Sequence, residues 1–183
     1  RRCFAYLRTR HGVAIVAALF SILASMLQIN ERLPNVSAHG ASLTLPFELR
    51  QKSRLHTRLD SGEEAALLLP RGTVLRHGDC LRADTGLIVL VQAAPEAVST
   101  VYADEPRLFA RAAYHLGNRH VVLQVGESWL RYLRDHVLDA LVAKLGLRVV
   151  LETAPFEPEA GAYHSHDRHV LLQPSAHNHG HPH

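Results

Sequence analysis

The stretch AVSTVYADEPRLFARAAYHLGN, residues 97–118, holds the pattern that decides the fold of the second half of the chain. Its first seven residues are rich in β-branched and aromatic side chains and are predicted to form a strand. Asp104 is a favourable N-cap for a following helix, with Pro106 in the first turn. Apolar residues then recur at helical spacing until the stop signal at Gly117-Asn118; they are Leu108, Phe109, Ala112, Ala113 and Leu116.

The same kind of pattern continues downstream of this helix. Residues 121–125 and 129–133 are predicted strands, and Asp135 is predicted to cap a second helix that ends at Gly146. Residues 147–151 form a last predicted strand. The resulting order, strand–helix–strand–strand–helix–strand, is the ferredoxin-like plan.

Upstream of residue 94 the pattern is one of short strands and turns. Residues 42–45 alternate polar and apolar side chains, and Pro46 limits that strand to a sheet edge or a bulge. Turn signals recur every 8–12 residues, which predicts a small all-β barrel or sandwich. We therefore predict an α+β protein of two domains, residues 26–94 and 95–153, followed by a linker and tail over residues 154–183.

The charge of the chain is concentrated at its N-terminus. Residues 1–25 carry four Arg and no acid, whereas the remaining 158 residues carry 16 basic and 17 acidic side chains. The folded part of the chain therefore has a net charge of about −1, and it lacks the basic surface of a nucleic-acid-binding protein. The two cysteines cannot form a disulfide framework, so a reduced, cytoplasmic location is expected.

Residues 1–25 also resemble a signal peptide, because a basic start precedes the uncharged stretch 12–29, which just reaches the length of a membrane span. Met26 is the only methionine, and a self-consistent globular sequence follows it. We therefore expect residues 1–25 to be an upstream stretch outside the fold. No membrane contact is expected unless this leader is genuine.

Most of the candidate metal ligands in the sequence lie in the C-terminal tail. We expect residues 164–183 to be a disordered segment, and their imidazoles are ligands that suit nickel, zinc and copper near neutral pH. An inert, solvated tail is the alternative reading. The seven histidines are His164, His166, His169, His177, His179, His181 and His183.

Two histidines of the folded part are further candidates for metal ligands. His120 lies just past the predicted end of the first helix, and His136 follows the predicted cap Asp135. Each also has a purely structural explanation: His120 lies at the edge of a secondary-structure element, and His136 lies at the start of a helix. The chain contains none of the HExxH, GxSxG, P-loop or GxGxxG motifs, so it is predicted not to be an enzyme.

Four stretches of the chain resemble the UreE family of urease accessory proteins, and the resemblance runs in order from Met26 into the tail. The two most specific are YHLGNRH, residues 114–120, and PFEPEAGAY, residues 155–163. The other two are SLTLP, residues 42–46, and LLPRG, residues 68–72.

This resemblance implies a cytoplasmic nickel metallochaperone with a β-rich domain similar to peptide-binding chaperone modules and a ferredoxin-like metal-binding domain. It implies a homodimer in which His120 of both subunits holds one nickel ion, completed by His164 and His166. It also implies delivery toward a urease accessory GTPase and the apo-urease complex. Some members carry a His-Asp-His site where this chain has Arg134-Asp135-His136, so His136 is expected to be a weak ligand.

Two other functions remain open from the residues. One is a general His-rich protein that stores or buffers nickel, zinc or copper, in which the fold is incidental. The other is a peptide-binding chaperone module regulated by metal.

Overall fold

The computed structural model describes residues 26–34 and 38–160. The expected leader (1–25) and the expected disordered tail with its seven histidines therefore lie outside the described residues. Within the described part, no helix is long and apolar enough to cross a membrane.

The first half of the chain forms a mixed six-stranded sheet, as far as the described residues show. Its strand order is β2-β6-β5-β1-β4-β3, with β1 parallel to β4 and β2 parallel to β6. A one-turn helix, α1 (Phe47–Arg50), follows β2. The strands are β1 (Leu27–Leu33), β2 (Ala41–Leu45), β3 (Arg54–Arg58), β4 (Glu64–Leu68), β5 (Cys80–Ala83) and β6 (Ile88–Ala93).

The core of this sheet follows from the two-residue period of its strands. Alternate residues such as Leu43 and Leu45 in β2, or Val89 and Val91 in β6, are buried in one apolar cluster. β2 ends at Leu45 and lies at an edge of the sheet, as the proline after it predicts. Pro46 is also the N-cap of α1, a helix that was not predicted from the sequence.

Asp60 brings the two edge strands of this sheet together. It follows β3, and its backbone N–H donates to the carbonyl oxygen of Ser42 in β2 at 3.0 Å. Its carboxylate accepts from the hydroxyl of Ser42 at 2.7 Å and from the backbone N–H and hydroxyl of Thr44 at 3.0 and 2.8 Å. Burial raises the pKa of Asp60, but these hydrogen bonds outweigh it and hold the pKa below its usual value.

The second half of the chain has the predicted order of strands and helices. Its four strands form an antiparallel sheet in the order β10-β7-β9-β8. Both helices pack on one face of that sheet, where Val101 of β7 and Leu130 of β9 join Leu116 and Val142 of the helices in one cluster. The elements are β7 (Pro95–Tyr102), α2 (Pro106–Gly117), β8 (Gln124–Val125), β9 (Trp129–Leu133), α3 (His136–Lys144) and β10 (Arg148–Pro155).

Three details of this half differ from the prediction. The N-cap of α2 is Glu105, not Asp104; its carboxylate accepts from the N–H groups of Arg107 and Leu108, both at 2.8 Å. β8 has only two residues, whereas a strand was predicted over 121–125. β10 continues to Pro155, because it pairs with β7 along its whole length and Pro155 faces Pro95 at an edge of the sheet, where proline is tolerated.

The two sheets meet at a small aromatic cluster. Phe156, which was predicted to lie in a linker, is fully buried against Phe47 of α1 and Val98 of β7. The two phenyl rings pack edge to face, with centroids 5.6 Å apart. The N–H of Phe47 also donates to the carboxylate of Glu96 at 2.8 Å. The chain after β10 therefore packs back against the first sheet.

Candidate metal site

His120 lies where the chain leaves α2. Its backbone N–H donates to the carbonyl oxygen of Gly117 at 2.9 Å, and its φ of +57° is a left-handed conformation. Such a residue commonly ends a helix, and histidine adopts this conformation more often than most residues other than glycine. The turn places the His120 side chain on the surface, where it is exposed. An exposed imidazole is free to bind a metal ion from solution.

Apolar side chains on either side of His120 in the sequence are also exposed. Tyr114 is 64% exposed and Val122 is 45% exposed. The ring of Tyr114 packs edge to face on that of His115, with centroids 5.4 Å apart.

His136 has a different setting from His120. It is the first residue of α3 and is exposed, and the carboxylate of the preceding Asp135 accepts from the N–H groups of Val137 and Leu138 at 2.8 and 3.3 Å. The Asp135 carboxylate thus caps the helix as predicted.

The two histidines are not parts of one cluster. In the described ranges, no three His, Cys, Asp or Glu side chains converge in a way that could hold a metal ion. His120 therefore belongs to no group of three such side chains in the part of the chain that the structure describes.

The end of the described chain contacts the segment that follows His120. The backbone N–H of Glu159 donates to the carbonyl oxygen of Leu123 at 2.7 Å, and that of Glu157 donates to the side-chain oxygen of Gln124 at 3.0 Å. Leu123 is three residues after His120, and Glu159 is five residues before His164. This contact was not predicted, because the stretch 155–161 has the composition of a linker.

A buried arginine of the first domain contacts residues 156 and 157 of the chain after β10. Arg50 is fully buried and donates to the carbonyl oxygens of Leu45, at 3.1 Å, and Leu75, at 3.3 Å. It also donates to the carbonyl oxygen of Phe156 and forms an ion pair with Glu157. Burial lowers the pKa of Arg50, while the nearby Glu157 opposes the shift. Sequence reasoning also missed this residue.

The remaining perturbed groups have structural roles. The buried phenol of Tyr132 donates to the carboxylate of Asp139 at 2.8 Å; burial, followed by this bond, raises the pKa of Tyr132. Glu152 accepts from the Thr100 hydroxyl and pairs with Arg131 at 3.0 Å, and these contacts lower the pKa of Glu152. None of these groups forms a nucleophile–base arrangement, so the geometry provides no catalytic centre among the described residues.

The fold and the site together define a class: a two-domain protein, β-rich and then α+β, with an exposed histidine and no catalytic centre in its described part. The family model described as the UreE urease accessory protein N-terminal domain matches residues 29–94, and the corresponding C-terminal domain model matches residues 96–183. The chain belongs to the UreE family of urease accessory proteins, and it is not an enzyme.

Individual relatives agree with this assignment. A protein named urease accessory protein UreE from Alkalilimnicola ehrlichii is 58% identical over 138 residues, which cover 75% of this chain and 85% of the relative. Proteins of the same name from Vibrio parahaemolyticus and Pseudomonas putida are 54% and 52% identical; their alignments cover 68% and 76% of this chain and 84% and 88% of the relatives.

Proposed function

We propose that this protein is a nickel carrier of urease assembly, which collects Ni(II) and delivers it to the maturing urease metallocentre in the cytoplasm. The proposal rests on family membership and on one observation, the exposed imidazole of His120 held at the end of α2. Imidazole suits Ni(II) as a ligand and is uncharged near neutral pH. Zinc and copper would bind the same donors in vitro, so delivery defines the role better than binding.

The proposed tight site combines His120 from two copies of the chain with His164 and His166. An isologous dimer repeats each residue across its two-fold axis, so one histidine per chain supplies two ligands. A dimer interface around His120 would also cover the exposed side chains of Tyr114 and Val122. The ferredoxin-like strand and helix order of residues 95–155 would carry this interface.

The other histidines would raise the number of metal ions that each chain can bind. His136 is a weak auxiliary ligand in this proposal, and the remaining tail histidines would bind further ions loosely; they are His169, His177, His179, His181 and His183. Protons compete with metal for imidazole, so binding should weaken below about pH 6. The proposed partners are the urease accessory GTPase and the apo-urease complex.

Equilibrium dialysis with nickel tests the site. We expect His120→Ala to lower the affinity for the tightest-bound ion while leaving most of the stoichiometry, and deletion of residues 164–183 to remove most of the stoichiometry. His120→Asn should behave like the alanine variant, because asparagine tolerates the left-handed backbone but lacks the imidazole. The exposed His39 of the first domain supplies the control, His39→Ala. A tight site that persists in both His120 variants would remove the proposal.

Transfer experiments separate the carrier from the two other functions. Family membership favours the carrier over a general metal store, and only a carrier should raise the activity of apo-urease when loaded with nickel. A peptide-binding chaperone would lose this activation on damage to the first domain while binding nickel normally. Nickel-loaded protein that activates apo-urease no better than free nickel would favour storage.

A further inference from the structure

Strand β10 forms an open edge of the four-stranded sheet. It pairs with β7 over all eight of its residues without a bulge, and no strand of the described ranges lies on its other side. Natural proteins usually protect such an edge with a bulge, a short strand or a covering segment, because its unpaired backbone groups can bind another strand. Within the described part of the chain, β10 has none of these three protections before Pro155.

The ladder between β7 and β9 shows which backbone groups of β10 face outward. The N–H of Arg134 in the chain after β9 donates to the carbonyl oxygen of Ala97 in β7 at 3.1 Å. The odd-numbered residues of β7 therefore bond to β9 and its even-numbered residues bond to β10, since backbone groups alternate in direction along a strand. Even-numbered residues of the two strands face each other, so the N–H and C=O groups of Val149, Leu151 and Thr153 point away from the sheet.

Two of these outward-bonding residues line an apolar groove on the helix-covered face of the sheet. Leu151 is 52% exposed, whereas Val149 packs on the core of the second domain. The groove has a volume of about 480 Å³ and is lined on its other side by Ala140 and Ala143 of α3, both of them exposed. These small side chains leave room for a second helix beside α3.

The opposite face of β10 carries two charges of opposite sign. Arg148 is exposed, and Glu152 is half-buried. Arg131 and the Thr100 hydroxyl both contact Oε1 of Glu152, so Oε2 can still accept from another cation. Val150 lies midway between the two charges. An antiparallel copy of β10 centred on Val150 therefore sets the arginine of each copy opposite the glutamate of the other.

We propose that β10 is a self-association edge: two copies of the chain pair through β10 about a two-fold axis at Val150 and join their four-stranded sheets into one. In this register Val149 of each copy lies opposite Leu151 of the other, and each such pair exchanges two backbone hydrogen bonds. The opposite charges pair across the same axis. An axis at Val149 or Leu151 would keep backbone bonds but lose the charge pairs.

A second copy suits this edge better than a strand of another protein, because each charge finds its complement on β10 itself. Such an interface is isologous, so one register satisfies both copies. The interface is also separate from the proposed metal site. Strands β10 and β8 are opposite edges of the sheet, and His120 lies in the chain that leads into β8.

Disulfide trapping of the full-length, metal-free protein tests this register. Val150→Cys places a thiol on the axis, where the Cα atoms of a non-hydrogen-bonded pair lie about 4.5 Å apart, within the range that a disulfide spans. Thr153→Cys is the matched control, because the exposed residue 153 would face Leu147 of the other copy and not itself. The parent chain, with Cys3 and Cys80, gives the background. Peptide mass mapping identifies the residues that are joined.

We expect Val150→Cys to form the 150–150 disulfide about tenfold faster, or more, than Thr153→Cys forms its own. Adding Arg148→Glu to Val150→Cys should slow this reaction about tenfold, because two attractive pairs become repulsive. Adding Arg71→Glu should leave the rate unchanged, since Arg71 lies in an exposed turn of the first domain. Sedimentation equilibrium of the single variants Arg148→Glu and Arg71→Glu measures the same interface without an added thiol, and only the first should weaken association.

Three results would overturn the inference. A 150–150 disulfide that forms no faster than the 153–153 disulfide would remove the proposed axis and leave the edge to a strand of a different protein. Equal slowing by Arg148→Glu and Arg71→Glu would show an effect of net charge alone. Association that Arg148→Glu leaves unchanged would exclude the charge pairs. None of these results bears on nickel delivery, which the His120 variants and the transfer experiments test separately.

Discussion

At the scale of single residues, Asp60 joins two strands that would otherwise be the free edges of a sheet. Because its pKa is lowered in the folded state, the ionised carboxylate stabilises the fold. That contribution is present above the unfolded pKa of about 3.9 and is lost as the pH falls through the lower folded value.

We therefore expect Asp60→Asn to lower the free energy of unfolding at pH 7 by about 0.5 kcal/mol, since solvent screens an exposed group. The stability of the variant should also fall less steeply than that of the wild type below about pH 4. Urea unfolding at pH 7, 4 and 2.5 measures both effects. Glu63→Gln, in the same exposed turn, is the control; parallel pH profiles for the wild type and Asp60→Asn would contradict the prediction.

Individual residues differ in how far the sequence could predict them. The position of His120 just past a helix was predictable, because the Gly-Asn pair before it ends a helix, and the structure places His120 in the turn that follows α2. Its role as a metal ligand came from the family resemblance and stays a prediction. Arg50 could not be identified, because a single arginine in a polar stretch has the pattern of a solvated surface residue. Its burial depends on three carbonyl oxygens and a carboxylate, and three of these four partners lie 25 or more positions away, where local patterns do not reach.

At the scale of elements, the N-cap of α2 offers a direct comparison between two adjacent acids. Glu105 accepts two backbone bonds at the helix start, whereas Asp104, the predicted cap, precedes it. We expect Glu105→Ala to lower the free energy of unfolding by about 1 kcal/mol and Asp104→Ala by less than about half of that. Thermal unfolding of both variants measures the difference. A larger loss in Asp104→Ala would mean that the predicted cap is the working one.

The elements were predictable where one pattern continued over many residues. Helix α2 and the strands β7 and β9 were placed within a few residues, because their spacing is regular and their turn signals are strong. β8 was predicted too long, because the apolar run 121–125 packs partly on the helices instead of pairing. β10 was predicted too short, because its pairing with β7 carries polar Glu152 and Thr153 into the strand.

At the scale of the whole molecule, Phe156 links the two sheets. We expect Phe156→Ala to lower the free energy of unfolding by about 3–4 kcal/mol, because it removes a fully buried ring from the junction. Phe156→Leu keeps most of the volume and should cost less than about 1.5 kcal/mol. Denaturant unfolding of both variants provides the measurement. Equal losses would indicate that the ring is not packed as described.

The two-part organisation was predictable from the change in pattern near residue 94, but the junction was not. The proline- and glycine-rich stretch after β10 has the composition of a linker, and its aromatic and acidic residues acquire their role only when the first domain is present. Contacts between residues about a hundred positions apart leave no periodic trace in a single sequence.

The pairing of Pro95 with Pro155 has a consequence for protein engineering. The second domain begins and ends at two facing positions of neighbouring strands, so its termini are close together. A unit with adjacent termini can be inserted into a surface loop of an unrelated host with little distortion. Grafting residues 95–155 into such a loop would therefore present the His120 imidazole on a chosen scaffold.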